Sequence, residues 1–182
     1  MIITKMTIPD VLLIEPKVFT DQRGFFLETY QKEKFFQAGI TCEFVQDNHS
    51  SSVRSALRGL HYQLSHTQGK LVRAVIGEIF DVAVDLRRSS PFFGGWVSAL
   101  LSEENKREFW VPPGFGHGFF VLSERADVLY KATDYYDPTS ERCIRWNDPT
   151  LAIVWPIPEG EAPIVSEKDR AGLSIEEAEV FE

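Results

Sequence analysis

The sequence predicts a mainly β fold, a sandwich or a closed jelly-roll barrel, from three observations. Short β-branched and aromatic runs recur along most of its 182 residues, Gly and Pro fall between them where turns are needed, and helical signals are confined to two short stretches. The clearest segment, Leu71 to Arg87 with Lys70 ahead of it, consists of two β-branched runs flanking Gly77-Glu78 and reads as a hairpin. In its second run Asp81, Ala83 and Asp85 share one face and Phe80, Val82 and Val84 the other, because strand side chains alternate. Further strands are expected at Trp96 to Leu101, Glu108 to Val111, Gly118 to Leu122 and Val128 to Thr133. One short helix is expected from Lys32 to Ala38, stopping at Gly39, which tolerates a left-handed conformation. A second is expected after the capping box of Ser174 and Glu177, over the terminal SIEEAEVF. Without repeats or a linker, the chain reads as a single domain over residues 1–182.

Composition narrows the function. A formal net charge of −8 opposes general nucleic-acid binding, which needs a basic surface, but leaves room for a small anion held by a local cluster of cations. No apolar run reaches the roughly 18 residues of a membrane span, and the first residues lack the pattern of an export signal, so a cytoplasmic location is expected. Cys42 and Cys143 have neither redox nor metal spacing and read as packed thiols.

Chemistry concentrates in two segments. Leu57 to Arg73 places Arg58, His61, Lys70 and Arg73 in what otherwise reads as strand, turn and strand. In a regular strand Arg58 and His61 face opposite ways; they share a pocket only if Gly59 bends the strand. The second segment, Trp110 to Phe120, contains PxGxxH from Pro112 to His117, which resembles the second defining motif of the cupins. Metal-binding cupins supply HxH in the first motif, whereas His61-Tyr62-Gln63 stands here, so the metal-ligand set is broken and no metal is expected.

Seven motifs in order carry a closer resemblance. DxRGxFxE (Asp21 to Glu28), QDN (Gln46 to Asn48), RGLHYQ (Arg58 to Gln63), QGKLVR (Gln68 to Arg73), PPGFGHGF from Pro112, WNDP (Trp146 to Pro149) and SEKD (Ser166 to Asp169) make the chain similar to the dTDP-4-dehydrorhamnose 3,5-epimerases, over nearly its whole length. Ser65-His66-Thr67 departs from a proline-containing loop common in that family, and Gly116 stands where alanine is usual. The resemblance implies a cupin-type jelly-roll with a few short peripheral helices and a dTDP-linked 4-keto-6-deoxyhexose as substrate. It also implies a homodimer in which the β-rich N-terminal segment crosses between subunits.

In such a substrate C3 and C5 flank the C4 ketone, so loss of either proton places charge on the C4 oxygen, and the ketone itself serves as electron sink without a cofactor. The site then needs a base on one face of the ring, a donor at the oxyanion and an acid on the other face. His61, with an ordinary pKa of about 6.5, suits the base. The resemblance implies Asp169 as its partner, although Ser166 to Asp169 also fits a local capping box. Lys70, a compact point charge at a strand start, is the candidate to hold the oxyanion, with Asp81 or Asp85 on the neighbouring strand to face it and keep it charged, and the resemblance implies Tyr130 as the acid. Arg23, Arg58 and Lys168 are the matched cations for the nucleotide end, with His117 donating to phosphate; Glu28, Gln46, Asp47, Asn48 and Glu141 are matched polar positions for the base and sugar. His49 and His66 match no role. The alternatives are a relative that inverts only C3 or C5, a non-catalytic nucleotide-sugar-binding cupin, and a metal-dependent cupin, the last opposed by the missing HxH.

Overall fold

The computed structural model describes all 182 residues. Its strands are β1 (Ile2–Lys5), β2 (Leu12–Glu15), β3 (Val18–Asp21), β4 (Gly24–Leu27), β5 (Gln46–Val53), β6 (Leu57–Gln63), β7 (Lys70–Ile76), β8 (Glu78–Asp85), β9 (Trp96–Ser102), β10 (Glu108–Val111), β11 (Phe115–Val121), β12 (Arg125–Ala132) and β13 (Glu141–Cys143). Two short helices, α1 (Lys32–Gln37) and α2 (Glu167–Arg170), lie at the periphery. No helix is long and apolar enough to cross a membrane.

Two antiparallel sheets make the jelly-roll. One has the order β1-β2-β10-β7-β12-β5, the other β13-β6-β11-β8-β9, and β3 with β4 forms a separate hairpin. Alternation sends Val72 and Ala74 of β7, Ile79 and Ala83 of β8, Phe119 and Val121 of β11, and Val128 of β12 into one cluster between the sheets. The opposite faces are covered separately. Val82, Val84 and Phe120 pack under the C-terminal segment through Trp155 and Ile175, while Leu12, Ile14, Leu71 and Trp110 pack under Phe35 of α1. Burying these large side chains, at roughly 25 cal/mol per Å² of apolar surface, is the main force holding the sheets and their covers together.

Most expected strands are present, but two expectations fail. Lys70–Ile76 and Glu78–Asp85 are both strands, yet they belong to opposite sheets, so Gly77 is a corner between sheets and not a hairpin turn. Gly77 has φ +70°, and a Cβ there would lie 2.0 Å from the Arg125 carbonyl oxygen, so the corner tolerates no side chain. The terminal helix is also absent. Ser174 and Glu177 do form the capping bonds, the hydroxyl donating to Glu177 Oε2 at 2.7 Å and accepting from its N–H at 3.3 Å. Only one turn follows, because Ile175 and Ala178 are drawn into the packing beside Trp155 and Phe181 bridges to Arg87. The helix of Lys32–Gln37 forms as expected and ends before Gly39 at φ +96°.

Candidate active site

The site begins with a bend in β6. Arg58 pairs with Phe119 and His61 with His117, and the register slips between them, so Arg58 and His61 both border one open groove while Leu57, Leu60 and Tyr62 pack into the cluster under the C-terminal segment. Gly59 makes this slip. It has φ +112°, and a Cβ would lie 2.5 Å from the His117 carbonyl oxygen and 2.6 Å from Gly118 Cα.

The bend brings His61 to Asp169. Its Nε2 donates to Asp169 Oδ1 at 2.5 Å, leaving Nδ1 as the ring's free acceptor in the neutral tautomer assigned from that bond. Ser166 caps α2 by accepting from the Asp169 backbone N–H at 3.1 Å, but the return bond of a capping box is not made: the Asp169 carboxylate turns to His61 instead. The Gly59 N–H donates to Asp169 Oδ2 at 3.3 Å and fixes the second oxygen. Burial alone would raise this carboxyl, but the bonds from His61, Gly59 and Ser166 hold it below its ordinary value.

Across from His61, a cavity of about 80 Å³ is lined by Gln63, Gln68, Lys70, Tyr130, Tyr136 and Glu141. Lys70 opens β7, opposite Ala132, and points inward without an ion pair; burial brings its ammonium down to about 8, against the opposing influence of Glu141 and Asp81. Glu141 is the stronger of these two influences; of the two aspartates only Asp81, fully buried and bonded to His117, acts on Lys70, while Asp85 is taken by Arg87 and Ser90. Desolvation raises the Tyr130 phenol, which keeps its proton available. Glu141 accepts from the Tyr136 hydroxyl at 2.9 Å and pairs with Lys168.

A wider groove, about 570 Å³, leads outward from His61 past Arg58, Lys168 and Asp169. Arg58 is held there by its Nε donating to Ser52 Oγ at 2.9 Å. Two cations beside an open groove suit a diphosphate.

The remaining expected site residues are dispersed. Gln46 and Asn48 stand inward on β5, cross-strand from Ala132 and Tyr130, with Gln46 Nε2 donating to Asn48 Oδ1 at 3.0 Å. Asp47, between them, points to the opposite face and pairs with Lys131 at 2.9 Å. His117 lies inside, 7% exposed, with Nε2 donating to Asp81 at 2.9 Å. Arg23 sits at the tip of the β3–β4 hairpin, paired with Asp21 and 86% exposed, and Glu28 pairs with Lys34; within one chain neither meets His61. Tyr62, Gln63, Gln68 and Tyr136 line the cavity without having been expected as site residues; the first three lie within the matched motifs, whereas the only signal for Tyr136 is its aromatic pair with Tyr135 just after β12. Cys143, read as a packed thiol, lies against the dyad with Sγ 3.9 Å from Asp169 Oδ1.

Residues 5–177 match the family model described as dTDP-4-dehydrorhamnose 3,5-epimerase. The chain belongs to the dTDP-4-dehydrorhamnose 3,5-epimerase family. It is 59% identical over 179 residues to the epimerase of that name from Pseudomonas aeruginosa, covering 98% of each chain. A crystal structure of the 3,5-epimerase from Legionella pneumophila, in complex with dTDP-4-keto-L-rhamnose, superposes with a TM-score of 0.94 at 52% identity, covering 97% of this chain and 94% of that one. A 3'-monoepimerase from Streptomyces bikiniensis in complex with dTDP-quinovose is more distant, with a TM-score of 0.87 at 31% identity, covering 94% and 87%. The same scaffold is thus found in a 3,5-epimerase and in a 3'-monoepimerase.

Proposed function

We propose that the chain converts dTDP-4-dehydro-6-deoxy-D-glucose to dTDP-4-dehydro-L-rhamnose by inverting C3 and C5 without a cofactor. The observation that carries this reading is the placement of the His61–Asp169 pair, the half-buried Lys70 and the Tyr130 hydroxyl around one cavity. His61 Nδ1 takes the proton next to the ketone, and Asp169 stabilises the imidazolium that results. The negative charge moves to the C4 oxygen, where the Lys70 ammonium receives it in surroundings that exclude much of the water. Tyr130 returns a proton to the opposite face, and the configuration inverts. Arg58 and Lys168 hold the diphosphate along the groove, Gln46, Asn48 and Glu141 offer polar contacts, and Tyr136, 53% exposed at the mouth, presents a flat ring for stacking on the pyrimidine. His117, already donating through Nε2 to Asp81, donates to phosphate through Nδ1 only as the imidazolium.

A homodimer belongs to the same reading. The β3–β4 hairpin exposes Phe19 at 52%, Phe25 at 59% and Phe26 at 70%, an apolar surface suited to a second copy. Inserted there, the hairpin carries Arg23 and Glu28 toward the partner's groove, and a cytoplasmic location follows from the nucleotide-sugar substrate. A non-catalytic binding module gives no purpose to Lys70, which is turned into the cavity without an ion pair. The test is Tyr130→Phe in heavy water. It is expected to keep deuterium exchange at the acidic carbons, because His61 still removes and returns protons on its own face, while inverted product disappears. Inversion at the unmodified rate removes Tyr130 from the acid role.

A further inference from the structure

We propose that His61, Cys143 and Asp169 form a site for a borderline-soft divalent ion of the Zn²⁺ class, and that occupancy switches the base off. Cys143 is the direct cross-strand partner of His61 in the β13–β6 register, and α2 delivers Asp169 to the same spot. Their ligand atoms all lie within 4.8 Å of one another. Tetrahedral zinc with bonds of about 2.0–2.3 Å separates its ligand atoms by roughly 3.3–3.8 Å. Cys143 Sγ and Asp169 Oδ1, at 3.9 Å, are already near that spacing, whereas His61 Nε2 and Asp169 Oδ1 must part somewhat from 2.5 Å. His61 has room to move because its side chain is 27% exposed and borders both the inner cavity and the groove, which also leave a fourth position for water.

The ligand chemistry fits. A thiolate and a carboxylate neutralise a dication, and imidazole with thiolate selects zinc-like ions over magnesium or calcium. On binding, the ion displaces the Cys143 thiol proton to solvent and takes the sulfur as thiolate. The effect on His61 follows from its tautomer. With Nε2 donating to Asp169, the lone pair is on Nδ1; with the ion on Nε2, the one ring proton moves to Nδ1 and no basic nitrogen faces the substrate. The inhibitory half of this proposal rests on His61 acting as the base, but the binding half does not.

Co²⁺ titration of the full chain separates the two. A thiolate-to-cobalt charge-transfer band is expected in the unmodified protein and in Cys42→Ser, and is lost in Cys143→Ala and Cys143→Ser. Absence of the band, or its survival in the Cys143 variants, overturns the site. In parallel, Zn²⁺ inhibition is measured against each variant's own metal-free turnover. Replacing Cys143 is expected to weaken it by at least about tenfold, as loss of a ligand should. Inhibition equally strong in Cys143→Ala overturns the switch, while a protein that gives the band but has no epimerase activity faults the functional reading and leaves the metal site standing.

Discussion

Replacing Asp169 with asparagine keeps the volume and an oxygen acceptor near His61 but removes the negative charge 2.5 Å from Nε2. As His61 takes the substrate proton, its ring becomes cationic, and the carboxylate's attraction exists fully only after that transfer. At a separation of about 4 Å and an effective dielectric constant near 20, two unit charges attract by about 4 kcal/mol. Asp169 is 3% exposed, which supports a dielectric well below that of water, whereas the partly exposed His61 argues against the deepest interior values. Taking about 3–4 kcal/mol as the loss from the transition state, kcat falls by roughly 10²–10³. KM should change less than kcat, since the hydrogen bonds of the Asp169 carboxylate go to His61 and the Gly59 N–H and none goes to Arg58 or Lys168. Single-turnover measurement of deuterium incorporation in heavy water isolates the proton-abstraction step. A kcat within about threefold of the unmodified protein would show that the carboxylate's charge has no part in that step, and Asp169 would be only the helix-cap residue that Ser166-Glu-Lys-Asp suggests.

Three further outcomes follow from the same geometry. Lys70 must be charged to hold the oxyanion and its ammonium lies at about 8, so turnover should fall as pH rises through 8; Lys70→Met should abolish that limb and lower kcat by roughly 10²–10³, read from a pH–rate profile. Gly59→Ala places a Cβ within 2.6 Å of backbone atoms at φ +112°, and should cost about 3–5 kcal/mol, seen as a fall in Tm of roughly 10 °C, with activity lost because His61 is displaced. Glu108 lies buried beside Arg73 with both carboxylate oxygens unbonded, and burial raises it to about 8. The folded state therefore holds a proton that the unfolded chain releases between about pH 4.5 and 8, so this group's contribution to stability is present at low pH and declines as pH rises through that window. Denaturant titrations should show Glu108→Gln flattening the decline, and an unchanged slope would contradict it.

The strands were legible wherever β-branched residues alternate, as in Lys70–Ile76 and Glu78–Asp85, but their partners were not. A hairpin and a crossing between sheets share one local pattern; the choice at Gly77 depends on contacts with Arg125, far along the chain. Ser174 and Glu177 show a related limit, since the capping bonds form and tertiary packing of Ile175 and Phe181 overrides what would follow. In the site, the bend at Gly59 was legible as the condition for Arg58 and His61 to meet, and the condition is satisfied. The choice of Asp81 over Asp85 was not, because both occupy one strand face and only the competing claim of Arg87 separates them. Alternation could have flagged Asp47, whose side chain must oppose those of Gln46 and Asn48. Tyr136 lies outside any strand, where periodicity carries no information.

The central claim, that His61 is the base for an enolisation at both carbons beside the ketone, is tested most directly by NMR. The unmodified chain and His61→Asn are incubated in heavy water with dTDP-4-dehydro-6-deoxy-D-glucose, and deuterium is followed at C3 and C5. The account predicts incorporation at both positions with the unmodified chain and at neither with His61→Asn. Deuterium entering the His61→Asn sample at the unmodified rate, or only one carbon exchanging in the unmodified chain, would contradict it.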